Sequence, residues 1–171
     1  MKVTAAGQDV EDGGSVHAGQ YLSFWVGKEV FAVGILAIKE IIQYGQLTAV
    51  PLMPSYIRGV INLRGSVVPV IDLSVRLGRG VAAVGKRSCI VILETWADGE
   101  RMDIGVMVDG VSAVIEIGPE NIEDAPMFGA SVRADFIEGI GKLDQQFIII
   151  LDINRTFAME ELAGMDGAMV A

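Results

Sequence analysis

One cysteine and one histidine are all that this 171-residue chain holds of two versatile catalytic side chains. Cys89 has no partner for an internal disulfide. Its place in Ser88-Cys89-Ile90-Val91-Ile92-Leu93 reads as a small buried hydrophobe in a reducing compartment. His17 lies in a polar, Gly-rich stretch, so a serine or cysteine nucleophile lacks a base. No Cys or His cluster has metal-ligand spacing, and neither GxxxxGK[ST] nor GxGxxG occurs. Basic residues are the minority, 13 against 22 acidic, for a net charge of −9. A reader of phosphates needs a basic stripe, so nucleic acid and anionic membrane surfaces are poor partners. With aromatics at 6%, base stacking is poorly supplied as well. No apolar run approaches the roughly 20 residues of a membrane-spanning helix. The opening residues carry no apolar core of a signal peptide.

Short apolar runs are what the chain has in abundance. Its 51% hydrophobic content supplies one core of ordinary size, and the eight methionines form no helical stripe and read as packing. The runs are rich in Val and Ile and punctuated by Gly, Pro and Asp, which is the pattern of strands. It predicts strands over 20–26, 30–33, 36–42, 60–63, 67–71, 87–95, 101–108, 111–117, 136–143 and 147–151. Gly27, Gly65 and the pair Asp98-Gly99 mark turns. Pro51 and Pro54 mark an irregular loop over 43–55. Two short helices are expected at 72–77 and 152–162, opened by the capping residues Asp72 and Asp152. Residues 1–19 read as a disordered tail, and 163–171 as a frayed end.

An internal repeat is the most informative feature. Tyr56-Ile57-Arg58-Gly59-Val60-Ile61-Asn62-Leu63 lies 80 residues ahead of Phe136-Ile137-Glu138-Gly139-Ile140-Gly141-Lys142-Leu143. Without a gap, Val67-Val68-Pro69-Val70-Ile71-Asp72-Leu73 then falls on Phe147-Ile148-Ile149-Ile150-Leu151-Asp152-Ile153. A weaker echo sets Val33-Gly34-Ile35 against Ile104-Gly105-Val106. The halves run roughly 21–84 and 86–157. Two copies are too few for a solenoid, so two small barrels in one domain are expected. Positions kept in both copies serve the fold: Gly59 and Gly139 for close backbone approach, Asp72 and Asp152 as caps. Positions that differ are candidates for function. Asn62-Leu63-Arg64-Gly65-Ser66 faces Lys142-Leu143-Asp144-Gln145-Gln146, and Pro69 replaces Ile149, which predicts an edge strand or a bulge. Strand alternation puts Ile38, Glu40 and Ile42 on one face, with Lys39 and Ile41 opposite. Glu40, Ile38 and Arg64 would then form an apolar patch holding one acid and one base. The rival readings are a small barrel enzyme using Asp72 or Asp152, if those carboxylates converge on a pocket, and an oligonucleotide-binding barrel.

The run Gly59-Val60-Ile61-Asn62-Leu63-Arg64-Gly65-Ser66-Val67-Val68-Pro69-Val70-Ile71-Asp72-Leu73 resembles the signature of the CheW family. So do Ile38-Lys39-Glu40-Ile41 and Val108-Asp109-Gly110-Val111. The resemblance covers about 20–162. It implies a mainly β fold, with two small five-stranded SH3-like barrels packed around a shared core as one CheW-like domain. It also implies a non-enzymatic cytoplasmic adaptor with no cofactor and no metal, binding the cytoplasmic tip of methyl-accepting chemoreceptors and the regulatory domain of the histidine kinase CheA. No nucleic acid and no membrane insertion are implied. Carried over by position, receptor contacts fall on Ile38, Glu40, Gly59, Asn62, Arg64 and Val68. Kinase contacts fall on Gln43, Tyr44 and Leu47 of the first barrel and Glu123, Met127 and Phe128 of the second. The pathway is either flagellar chemotaxis or a non-flagellar one, such as twitching or development.

Overall fold

A computed structural model describes residues 19–97, 99–124 and 132–158. Residues 1–18 and 163–171 of the expected tails, Asp98, Met127 and Phe128 lie outside the described residues, whereas the helix expected over 152–162 stops at Thr156, inside them. Eleven strands occur in the described residues: β1 Gln20–Val26, β2 Glu29–Gly34, β3 Ile38–Gln43, β4 Ile57–Leu63, β5 Ser66–Asp72, β6 Cys89–Ala97, β7 Glu100–Val108, β8 Gly110–Glu116, β9 Ile122–Glu123, β10 Ile137–Leu143 and β11 Gln146–Leu151. Two four-residue helices, α1 Leu73–Arg76 and α2 Ile153–Thr156, follow β5 and β11. The sequence pattern found every strand but β9, whose two residues are too few to show alternation. It began β3 too early, because Ile35–Ala37 forms a 3-10 turn.

The strands make a five-stranded sheet ordered β3-β6-β7-β5-β4 and a six-stranded sheet ordered β8-β1-β2-β11-β10-β9. Each sheet curls so that its edges are joined through the chain itself. After β3 the chain reaches the opposite edge at Thr48, which exchanges two backbone bonds of 2.9 Å with Val60 on β4. After β8 it reaches the opposite edge as β9, paired to Ile140 and Gly141 on β10. Short closures of this kind leave little open edge. One core lies inside each barrel: Val70, Ile90, Ile92 and Met107 in the first, and Tyr21, Ala32, Ile117, Ile148 and Ile150 in the second. A larger core lies between them, built from both sheets and including Phe24, Phe31, Leu73, Leu93, Phe136, Leu151 and Phe157. Each such side chain contributes about 1.5–3 kcal/mol by leaving water.

The repeat survives as equivalent hairpins with following helices, β4-β5-α1 in one sheet and β10-β11-α2 in the other. Both carry the same bulge, at Ile57/Gly59 and Ile137/Gly139. The barrels are not the two sequence halves, however. The first half's hairpin β1–β2 sits in the second barrel through parallel pairing of β2 with β11. The second half's hairpin β6–β7 sits in the first barrel through β5. These pairings align Ala32 with Gly105, because Val70 and Ile150 are one repeat apart. The weaker echo read from sequence is thus out by two residues, a slip that alternation hides because it keeps the same face. Pro69 marks no sheet edge, since β5 lies between β4 and β7. The ladder with β7 takes only Val70–Asp72, whereas Ile149 in the second barrel pairs with Phe31. Pro69 has no N–H to give, and the ladder with β7 starts one residue later than its counterpart in the second barrel.

Candidate functional site

Arg64 stands at the tip of the β4–β5 hairpin, between the paired residues Leu63 and Ser66. Both central residues have positive φ, 52° at Arg64 and 89° at Gly65, as a type I′ turn requires. Asn62 braces the turn from inside, its Oδ1 accepting from Gly65 N at 2.8 Å. The guanidinium reaches back to β3, where Nη1 and Nη2 donate to Glu40 Oε2 and Oε1 at 2.6 and 2.9 Å. This two-pronged pair holds the Glu40 carboxyl below the usual carboxylate range, and nearby Lys39 acts in the same direction. Lys39 in turn bonds Asp103 on β7 at 3.1 Å. The two pairs frame a shallow depression of about 200 Å³ floored by Val68 and Ile92.

Of the six expected receptor contacts, the structure brings Glu40, Arg64 and Val68 together here, whereas Asn62 braces the turn and lines a second depression, beside Gln43 and Leu47. Gly59 is enclosed: a Cβ there would lie 2.6 Å from the Thr48 carbonyl oxygen that helps close the barrel. Ile38 is on the far side of the strand. A bulge between Ile38 and Glu40 breaks the alternation, so Ile38 opposes Leu93 and packs on the shared core while Glu40 opposes Ile92. Lys39 and Asp103 join the site for the same reason, and no sequence signal marks that bulge.

The expected first-barrel kinase set lies around the barrel's open end. Gln43 and Leu47 line a depression there, and the Tyr44 hydroxyl accepts from Arg58 Nε at 3.2 Å. Arg58 also donates to Asp72 Oδ2 at 2.9 Å, and the side chain of Asp72 is only 1% exposed. In the second barrel Glu123 pairs with Lys142 at 2.5 Å, strapping β9 to β10. Asp72 and Asp152 both cap helices, accepting from Val75 N at 3.4 Å and Arg155 N at 3.0 Å. Asp152 faces Glu138, which stands where Arg58 stands in the first copy. Burial and then the Asp152 charge push the Glu138 carboxyl up. Burial likewise pushes the Cys89 thiol up, away from the reactive thiolate. Among the described residues, no three His, Cys, Asp or Glu side chains are grouped to hold a metal ion. No helix in the described residues is long and apolar enough to cross a membrane.

Two interlocked barrels, the first carrying a paired acid and base at a hairpin turn beside a shallow depression, define a double-barrel β domain. The chain belongs to the CheW-like domain family, whose model matches residues 20–161. It is 34% identical over 147 residues to the chemotaxis protein CheW of Klebsiella aerogenes, covering 86% of each chain. It is 30% identical to protein FrzA of Myxococcus xanthus, covering 80% of this chain and 83% of that one. The crystal structure of the scaffolding protein TtCheW from Thermoanaerobacter tengcongensis superposes with a TM-score of 0.73 at 34% identity, covering 81% of this chain and 87% of the other.

Proposed function

We propose that this protein couples methyl-accepting chemoreceptors to the histidine kinase CheA as a non-enzymatic adaptor, working in the cytoplasm at receptor arrays. The observation that carries the reading is the Arg64–Glu40 pair. The second repeat folds the same turn with Asp144 in place of Arg64, so the fold itself does not call for a guanidinium there. A base locked by two bonds onto an acid, over a floor of Val68 and Ile92, is an ordered polar contact beside apolar surface. The receptor tip docks against Glu40, Arg64 and Val68 in this reading, and the kinase regulatory domain docks at the barrel ends. A non-flagellar pathway, twitching or development, is the second reading; it draws on the relative that bears a name outside the CheW series.

Titrating a receptor-tip fragment and the kinase regulatory domain separately against Arg64 variants tests the assignment. Arg64→Ala is expected to keep the melting temperature within about 2 °C, since exposed ion pairs contribute little. Arg64→Asp sets two carboxylates face to face and is expected to weaken receptor binding more than Ala does. Kinase-domain binding is expected to survive both. Normal receptor binding by the Asp variant removes Arg64 from the interface, and unfolding without selective loss makes it a structural residue.

A further inference from the structure

Residues 78–87, between α1 and β6, form neither strand nor helix in the described structure, yet their backbone is held at three places. On entry, Gly78 N donates to Val75 O at 2.8 Å and Arg79 N to Ser74 O at 2.9 Å. At the exit, Gly85 N donates to Ser88 Oγ at 2.8 Å and Ser88 N to Gly85 O at 3.2 Å. In the middle, Ala82 N donates to the buried Asp72 carboxylate at 3.0 Å, and Ala82 O accepts from Arg58 at 3.2 Å. The repeat shows that this central strap is not a requirement of the fold, because Glu138 occupies the place of Arg58 in the second copy. With Ala82 tied inward, its apolar neighbours are left in solvent: Val81 is 77% exposed and Val84 54%. Lys86 and Arg87 follow, both exposed and without an ion pair among the described residues, a local positive charge on a chain of net −9.

The loop continues the open end of the first barrel. Tyr44 N donates to Ser88 O at 3.2 Å, Gln43 pairs with Cys89, and Ala82 packs with Tyr44 and Leu47 on the barrel core. We infer that the first-barrel contact with the kinase regulatory domain, on whose assignment above this rests, extends across the 78–87 loop. Val81 and Val84 enter an apolar patch of that domain, and Lys86 and Arg87 face acidic groups at its rim. Apolar anchors beside charge, on a backbone already ordered, are the composition and preorganisation of a protein interface. The net charge of the chain repels a nucleic acid from the same surface.

Calorimetric titration of the full chain against the isolated kinase regulatory domain tests the inference, with Gln43→Arg as the probe of the underlying contact. The double variant Lys86→Glu/Arg87→Glu is expected to bind about tenfold more weakly at low salt. That deficit should shrink as salt is raised and screening takes over. Val81→Ser/Val84→Ser is expected to bind more weakly with the deficit unchanged by salt. If Gln43→Arg weakens binding and both loop variants match the wild type, the inference falls and the first-barrel contact stands. If the wild type does not bind, or all three variants bind as it does, both fall. Sedimentation under the same conditions supplies the remaining arm. Self-association lost in the charge-reversed variant would give the loop to a second copy of this chain and overturn the inference.

Discussion

At Gly59 and Gly139, one repeat apart, the backbone runs close against the segment that draws its sheet's edges together. The two are not equally constrained. Gly59 has φ 155° and would bring a Cβ within 2.6 Å of a backbone oxygen, whereas Gly139 has no positive φ and its Cβ would stay 3.2 Å from the nearest backbone oxygen, meeting the Ile122 methyl at 2.6 Å. Gly59→Ala is therefore expected to destabilise by about 2–3 kcal/mol in denaturant unfolding, and Gly139→Ala by less. Loss of receptor binding in a Gly59 variant would then report an opened barrel rather than a lost contact. A second contrast is the swap of Arg58 for Glu138. Glu138 is raised from an ordinary value of 4.5, so the folded state binds its proton more readily than the unfolded state. Its carboxylate therefore lowers stability at neutral pH, and the cost fades as pH falls through the raised value and is gone below 4.5. Glu138→Gln is expected to melt higher than the wild type at pH 7, with the difference vanishing below that value. A difference that persists in acid would assign the effect to something other than charge.

Among the elements, the two hairpin turns make a controlled comparison. Both are type I′, but the second central position is Gly65 in one copy and Gln145, at φ 65°, in the other. A side chain held at positive φ costs about 1–2 kcal/mol, partly offset by the greater chain freedom glycine gives the unfolded state. Gln145→Gly is expected to stabilise by about 0.5–1 kcal/mol, read from the denaturation midpoint. Gly65→Gln is expected to cost a similar amount and to loosen the presentation of Arg64. The four-residue helices are too short to persist alone, and each depends on its cap and on the core beneath it. Asp72 does more than Asp152, since it also holds Arg58 and the 78–87 loop. Arg58→Ala leaves the Asp72 carboxylate buried without its cation, and a loss of about 3 kcal/mol or more is expected in unfolding.

For the molecule as a whole, the exchange of hairpins between the repeats governs cooperativity. Residues 19–85 carry the hairpin β1–β2 but not the strands β8, β9, β10 and β11 that complete its sheet, and they lack β6 and β7 from the other. That fragment is expected to show no cooperative thermal transition by circular dichroism, despite containing a full copy of the repeat. A folded fragment with dispersed amide resonances would mean that each half closes a barrel of its own. Contacts across the barrels point the same way. Arg76 of α1 donates to the Thr156 carbonyl of α2 at 2.7 Å while its guanidinium lies 4.8 Å from the Tyr56 ring and 5.0 Å from that of Phe136. Such a contact binds the two copies where each ends its helix.

The repeat, its strands, its two capping aspartates and the Asn62-Leu63-Arg64-Gly65 turn were legible in the sequence. Strand alternation, helix capping and positive-φ turns are local, and each leaves its mark within a few residues. The family resemblance and the choice of Arg64 as a candidate rested on the same local motif. What the sequence could not disclose is which strand lies beside which. Parallel pairing of β2 with β11 joins residues more than a hundred positions apart, and no local pattern encodes the choice. The bulge that sends Ile38 to the shared core and Lys39 toward Asp103 is equally silent, because one extra residue reverses a face without altering composition. Residue types alone determined that the chain would form barrels with a charged turn. Burial of one core shared by both sheets decided how the halves interlock and which of the expected contacts share a surface.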